Sequence, residues 1–283
     1  MAEPAIQVPD YNVGLVRNGD RPRYYSTLFA PAEKREALTA LYAFAVEIAD
    51  IPDRVTNPTL GEIRLQWWRQ ALEQPDAGAG ESSPVITALR PAIAEYLLPV
   101  PAFVALIEAR SGDLYSDPPV TPSDLEGQLG EMESSLFQLA SLILGAKGPE
   151  IADASGHAGV AYGLARRLAG FAHHRARGRV VLPAEILRAH GMEPAEVLAV
   201  PFSPALQASV QDAVALAREH LEKARAAGVP RSLRSAFLPL VAVEPLLAAV
   251  ERLGPRIGGE TVSVADARIL SRMAAAAYGF RRL

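Results

Sequence analysis

Apolar residues recur every three or four positions along nearly the whole chain, which is the repeat of helices that bury one face. The stretch "PAEKREALTALYAFAVEIAD", residues 31–50, opens on a proline and acids, as first helical turns do, and then holds that repeat. "LGEIRLQWWRQALE", residues 60–73, places Leu60, Ile63, Trp67, Trp68, Ala71 and Leu72 on one face. The same pattern predicts helices over 83–97, 101–115, 122–145, 150–175, 204–227, 232–253 and 263–279. "TPSDLEGQL" reads as a helix start, with Thr121 or Ser123 as cap and acids behind it. Only "RVVLP", residues 179–183, leans towards a strand, and it is too short and isolated to build a sheet. Loops are short clusters such as "QPDAGAGESSP" at 74–84, and no internal repeat or polar linker divides the chain. The expectation is a single all-α domain of about eight to ten helices.

Composition narrows the function classes. Apolar residues make up 49% and charged residues 21%, enough for a sizeable core, and the net charge of −4 gives no broad positive field for nucleic acid. Cysteine is absent, which excludes disulfides, thiolate-held zinc or iron–sulfur clusters and a cysteine nucleophile. The opening "MAEPAIQVPDYN" lacks the apolar centre of a signal peptide. The longest apolar run, "FLPLVAVEPLLAAV" from Phe237, is interrupted by Pro239, Glu244 and Pro245 and falls short of the roughly 20 residues that span a bilayer. No transmembrane helix is expected. The expected location is cytoplasmic, with peripheral association at the inner membrane as its extension.

Three clusters could carry chemistry. In "VEIADIPDRV", Glu47, Asp50 and Asp53 stand three apart, a spacing that lines carboxylates along one helical stripe and suits a hard cation such as Mg²⁺. Pro52 lacks an N–H and disfavours helical geometry at Ile51, so the stripe kinks or ends there. Spacing alone favours solvated acids at a helix end, with Asp53 paired to Arg54. In "ARSGDLYSDPP", Asp113 and Asp117 are four apart, next to two prolines that place Asp117 at a terminus or turn. The third cluster is "LAGFAHHRARGRVVLP", residues 168–183. Adjacent helical side chains point about 100° apart, so His173 and His174 do not share one ion. Arg166, Arg167, Arg175, Arg177 and Arg179 make this neighbourhood cationic, suited to an anion, an acidic surface or plain solvation. No nucleophile elbow, P-loop or dinucleotide fingerprint is present.

Taken together, "RYYSTLFAPAEKREALTALYAF", "LGEIRLQWWRQALE", "EARSGDLYSD" and "GLARRLAGFAHHRARGRVVLPAEIL" resemble the squalene/phytoene synthase family, in order, over about residues 20–250. The resemblance implies an isoprenoid-synthase-type helical bundle around a central cavity. It divides the chain into an N-terminal extension, 1–19, and a family domain, 20–283. In active members it implies two aspartate-rich motifs that hold Mg²⁺ on the diphosphates of two prenyl substrates.

Residue by residue, those motifs are degraded. The first, D-D-x-x-D after a Y-A-F-like run, falls on Ala49, Asp50 and Asp53, so the leading aspartate is missing. Asp113 matches the aspartate of the family's intermediate D-L element. The second, D-x-x-x-D, falls on Gly170 and His174, and the usual glutamine and asparagine before it fall on Gly163 and Arg166. Arg177 and Arg179 are retained. Loss of carboxylates removes metal ligands, and added arginine repels the metal. Without metal on the leaving pyrophosphate, several kcal/mol of transition-state stabilisation go.

The texture is nearest to the branch containing the mitochondrial respiratory complex I assembly factor, with alphaproteobacterial relatives. That branch implies a role in assembly, with respiratory complex subunits or a prenyl or lipid ligand as partners and no cofactor. The alternative is a divergent head-to-head prenyl transferase. There Asp50, Asp53 and Asp113, with Glu47 nearby, hold Mg²⁺, while Arg35, Arg166, Arg177 and Arg179 grip phosphate oxygens. A third reading keeps the cavity as a lipid- or prenyl-binding site without chemistry.

Overall fold

The computed structural model describes residues 8–74, 83–115, 117–147, 151–199, 201–279 and 283. Every regular element among them is helical. The N-terminal half runs α1 (Val8–Gly19), α2 (Arg21–Leu28), α3 (Arg35–Ala49), α4 (Ile51–Arg54), α5 (Pro58–Glu73), α6 (Pro84–Glu95) and α7 (Val100–Ser111). Next come α8 (Pro122–Leu129), a π-helical turn (Gly130–Ser134), α9 (Ser135–Ile143), α10 (Ala152–Ala169) and α11 (Phe171–Ala176). The chain closes with α12 (Ala184–Ala189), α13 (Pro194–Ala199), α14 (Pro204–Ala227), α15 (Arg234–Phe237), α16 (Val243–Leu253) and α17 (Asp266–Ala277). There are more segments than the eight to ten expected, because glycine and proline cut several predicted spans. Gly170 ends α10 inside the predicted 150–175, and Pro239 lies in a 3₁₀ stretch, Leu238–Ala242, inside 232–253.

Helix starts follow local rules. Asn57, Ser83 and Ser203 cap α5, α6 and α14 with side-chain oxygens, and each helix carries proline in its first turn. Thr121 caps α8 in a full capping box with Asp124. Within the N-terminal segment, Val8–Gly19 is α1, packed on α3 and α6 with Val16 fully buried.

The long α10 lies centrally, against α14 and α16 on one side and the π-helical turn on the other. Small residues permit this: a Cβ on Gly159 would sit 2.3 Å from the Ser134 backbone nitrogen. Tyr42, Phe44, Phe103, Phe137, Tyr162, Phe171 and Phe237 are fully buried in the core. Each large apolar side chain so buried contributes about 1.5–3 kcal/mol. The apolar stretch Arg231–Gly258 has the length and composition of a membrane span, but 78% of its apolar window is buried inside the fold, as in a core helix. The resulting frame leaves a polar cavity between the C-terminal end of α3, α4, α7, the π-helical turn and the α10–α11 junction.

Candidate functional site

This cavity has a volume of about 300 Å³. Its wall contains Asp50, Asp53, Asp113, Arg166, Arg179, Gly170 and His174, so residues far apart in sequence do converge. Glu47, Arg35 and Arg177 are not part of it. Glu47 accepts from the Tyr11 hydroxyl at 3.0 Å and pairs with Arg54 at 3.1 Å, outside the cavity. Arg35 is exposed and donates to the Ala30 carbonyl, and Arg177 is exposed at the end of α11.

The carboxylates are held by arginines. Asp50, at the end of α3, pairs with Arg54 at 2.9 Å. Pro52 starts a separate short helix, α4, which carries Asp53 across to α11. There Asp53 meets His173 Nε2 at 2.7 Å and makes a short contact with Arg179. Arg54 is therefore the partner of Asp50 and Glu47, and the expected Asp53–Arg54 pair is not formed. Asp113 lies between Arg110 at 3.0 Å and Arg167 at 3.5 Å. Burial would raise the Asp113 pKa, but the two guanidiniums outweigh it and keep the carboxylate ionised. Asp53 shows the same contest: partial burial raises its pKa, and His173 with Arg179 pulls it below the usual range.

Deeper in, residues the sequence pattern did not single out form a second layer. Glu133, on the π-helical turn, stands 2.8 Å from Arg23 as an ion pair without hydrogen-bond alignment, and 3.3 Å from Arg110. Asp20 caps α2 through the Arg23 backbone N–H, pairs with Arg166 at 2.9 Å and accepts the Tyr162 hydroxyl at 2.6 Å. Burial alone would raise the Glu133 pKa, yet Arg23, Arg166 and Arg110 hold it down to about 2. Burial also pushes the Tyr42 hydroxyl up to about 12. One signal for Glu133 does exist in the sequence. It falls four residues after Leu129 and three before Leu136, inside the apolar stripe, where an unpaired carboxylate would be costly.

The opposite wall is cationic or neutral. Burial, then Arg179 and Arg167, lower the His174 pKa to about 4, so the ring is neutral at pH 7. Gly163 brings α10 close to the π-helical turn: a Cβ there would lie 2.7 Å from Leu129 Cδ2 and 2.9 Å from Glu133 Cγ. In the inner part of the site, Arg23, Arg110, Arg166 and Arg167 face Asp20, Asp113 and Glu133. Four arginines against three carboxylates leave this interior positive, and no group of three metal-ligating side chains is arranged for an ion among the described residues. A Mg²⁺ bound here would have to displace arginines from their carboxylates against that excess charge. The donor set does not fit the ion.

The sequence model for squalene/phytoene synthase matches residues 16–268. The chain belongs to the squalene/phytoene synthase family. Among its relatives is NADH dehydrogenase (ubiquinone) complex I, assembly factor 6, of Rattus norvegicus, 30% identical over 251 residues that cover 87% of this chain and 75% of that protein. Squalene synthase HpnC from Alicyclobacillus acidocaldarius superposes with a TM-score of 0.74 at 24% identity, covering 87% of this chain and 94% of that one. A dehydrosqualene synthase superposes with a TM-score of 0.83 at 17% identity, covering 96% of both chains. These likenesses establish the all-α isoprenoid-synthase fold of the squalene/phytoene synthase family. The cavity occupies the place where the family's aspartate motifs map onto this chain, with Asp50 and Asp53 on one side and Gly170 and His174 on the other.

Proposed function

We propose that this protein acts in the assembly of respiratory complex I, on a squalene/phytoene synthase scaffold that no longer carries out Mg²⁺-dependent diphosphate condensation. The observation that carries the second half is the pairing of Asp50, Asp53, Asp113 and Glu133 with arginines. A carboxylate neutralised in place has no charge to spare for a metal, and a small polar cavity of about 300 Å³ lies at the low end for even one drug-sized ligand. Condensation would need room for two prenyl chains. The first half rests on the relatedness to the complex I assembly factor, whose partners would be subunits of that complex at the inner membrane.

The direct test incubates purified protein with farnesyl or geranylgeranyl diphosphate, with and without Mg²⁺, and follows products by mass spectrometry. The expected result is intact substrate. Enzyme-like formation of squalene or phytoene would reject the reading. In parallel, a mitochondrially targeted form is expressed in human cells lacking assembly factor 6, with complex I measured on native gels. Recovery of the complex supports the assembly role, and failure of an abundant, folded protein to restore any counts against it.

A further inference from the structure

Away from the cavity, two histidines meet in the seam between α10 and α14. Nδ1 of His157 lies 3.1 Å from Nδ1 of His220. The outer nitrogen of each ring faces a carboxylate: His220 Nε2 is 3.4 Å from Glu126 on α8, and His157 Nε2 is 3.7 Å from Asp153 on α10. His220 is buried, with 7% of its side chain exposed. The charged groups facing the pair among the described residues are Glu126 from α8, Asp153 from α10, and Glu219 and Lys223 from α14, which bridge each other at 2.7 Å.

Proton accounting constrains this arrangement. If each ring gives its Nε2–H to its carboxylate, two bare lone pairs converge at 3.1 Å, and a cation must lie between them. If one proton bridges the Nδ1 atoms, the row becomes carboxylate, imidazolium, imidazole, carboxylate, with each contact attractive. A second proton would set two N–H groups against each other at the same distance and place two cations in a half-buried seam.

We propose that His157 and His220 are a proton-sharing pair that holds one proton across the α10–α14 seam and parts the two helices at this point when a second is forced on. The site matters beyond itself, because α10 packs on α14 and carries Gly163 and Arg166 to the cavity. A second proton strengthens the attraction of each ring to its own carboxylate but sets the two rings against each other, so the strain falls on the α10–α14 seam. The direction agrees with His220, whose proton affinity has a net lowering: burial lowers it first, Glu126 raises it, and His157 lowers it again.

The test is a histidine-labelled NMR titration of the full-length protein from pH 8 to pH 4, with amide hydrogen exchange of residues 155–159 and 218–222 recorded alongside. The expected result is two rings that titrate together in two steps, separated by more than about one pH unit. Exchange along this seam should rise roughly tenfold for each unit by which the second step is displaced. In His157→Gln, the remaining ring should titrate in a single step, and the acid-dependent part of the seam's exchange should disappear. Two rings in the wild-type protein that titrate independently would overturn the proposal without recourse to any variant. So would stoichiometric, chelator-reversible binding of Zn²⁺ to both rings at neutral pH, which would make a metal the bridging cation.

Discussion

The ion pairs around the cavity fall into an inner and an outer group, and the two differ in how far water reaches them. Inside, Arg23 and Glu133 are exposed by only 3% and 6%, whereas at the mouth Asp50 and Arg54 are exposed by 42% and 45%. Both groups are close and oppositely charged. In water-poor surroundings, however, removing one partner strands the other, while at the rim solvent takes over the lost contact. The inner cluster is thus a structural commitment of the fold, and the outer one is a set of exchangeable contacts over the entrance.

The difference can be broken most sharply at its centre. Glu133→Ala leaves Arg23 with Asp20 alone and Arg110 with Asp113 alone, deepens the positive excess of the interior, and is expected to cost about 3–5 kcal/mol in urea denaturation at pH 7. A loss below about 1 kcal/mol would show that water already reaches the cluster. Next in size is a pH effect from His174. Its folded-state pKa of about 4 lies below the ordinary histidine value, so the unfolded chain takes up the proton first. The stability this neutral ring contributes is present above about pH 6.5 and is lost as pH falls towards 4, by at most about 3 kcal/mol. His174→Asn should flatten the fall in that window, measured by melting at each pH. Glu133, with its lowered pKa, weakens the fold in a more acidic window, below about 4.5 and through about 2.

Smaller effects define the rim. Asp53→Asn is expected to cost about 1 kcal/mol or less, and a double-mutant cycle with Arg179→Gln should return a coupling of about 0.5–1 kcal/mol. A coupling of several kcal/mol would move Asp53 into the inner group. Arg54→Ala should cost less than about 0.5 kcal/mol, because Asp50 remains solvated and Glu47 keeps the Tyr11 hydroxyl.

Much of the fold was legible because a helical repeat is written locally: α14 occupies the predicted 204–227, and Pro58–Glu73 covers the tryptophan-bearing stretch. The charge state of the cavity was legible only in part. Gly170 and His174 are visible as departures from a motif, and so is the arginine-rich wall. The partners were not, since Asp53 finds Arg179 across 126 positions and Glu133 finds Arg23 across 110. Spacing placed Glu47 with Asp50 and Asp53, but the break at Pro52 turned Asp53 towards α11 and left Glu47 to Tyr11 and Arg54. Arg35 and Arg177 share the charge of the cavity arginines but sit on surfaces that a one-dimensional pattern does not distinguish.

Gly163 has a consequence for anyone who would give this scaffold its family's chemistry. Installing aspartates at 170 and 174 is sterically mild, since a Cβ on Gly170 meets its nearest neighbours at 3.4 Å. A glutamine at 163 is another matter, because the space its first carbon needs belongs to Leu129 and to a Glu133 pinned by arginines. The road back to a diphosphate synthase therefore does not run through single exchanges at the lost positions. It requires the inner cluster to be dismantled first, and every step of that dismantling passes through a less stable protein.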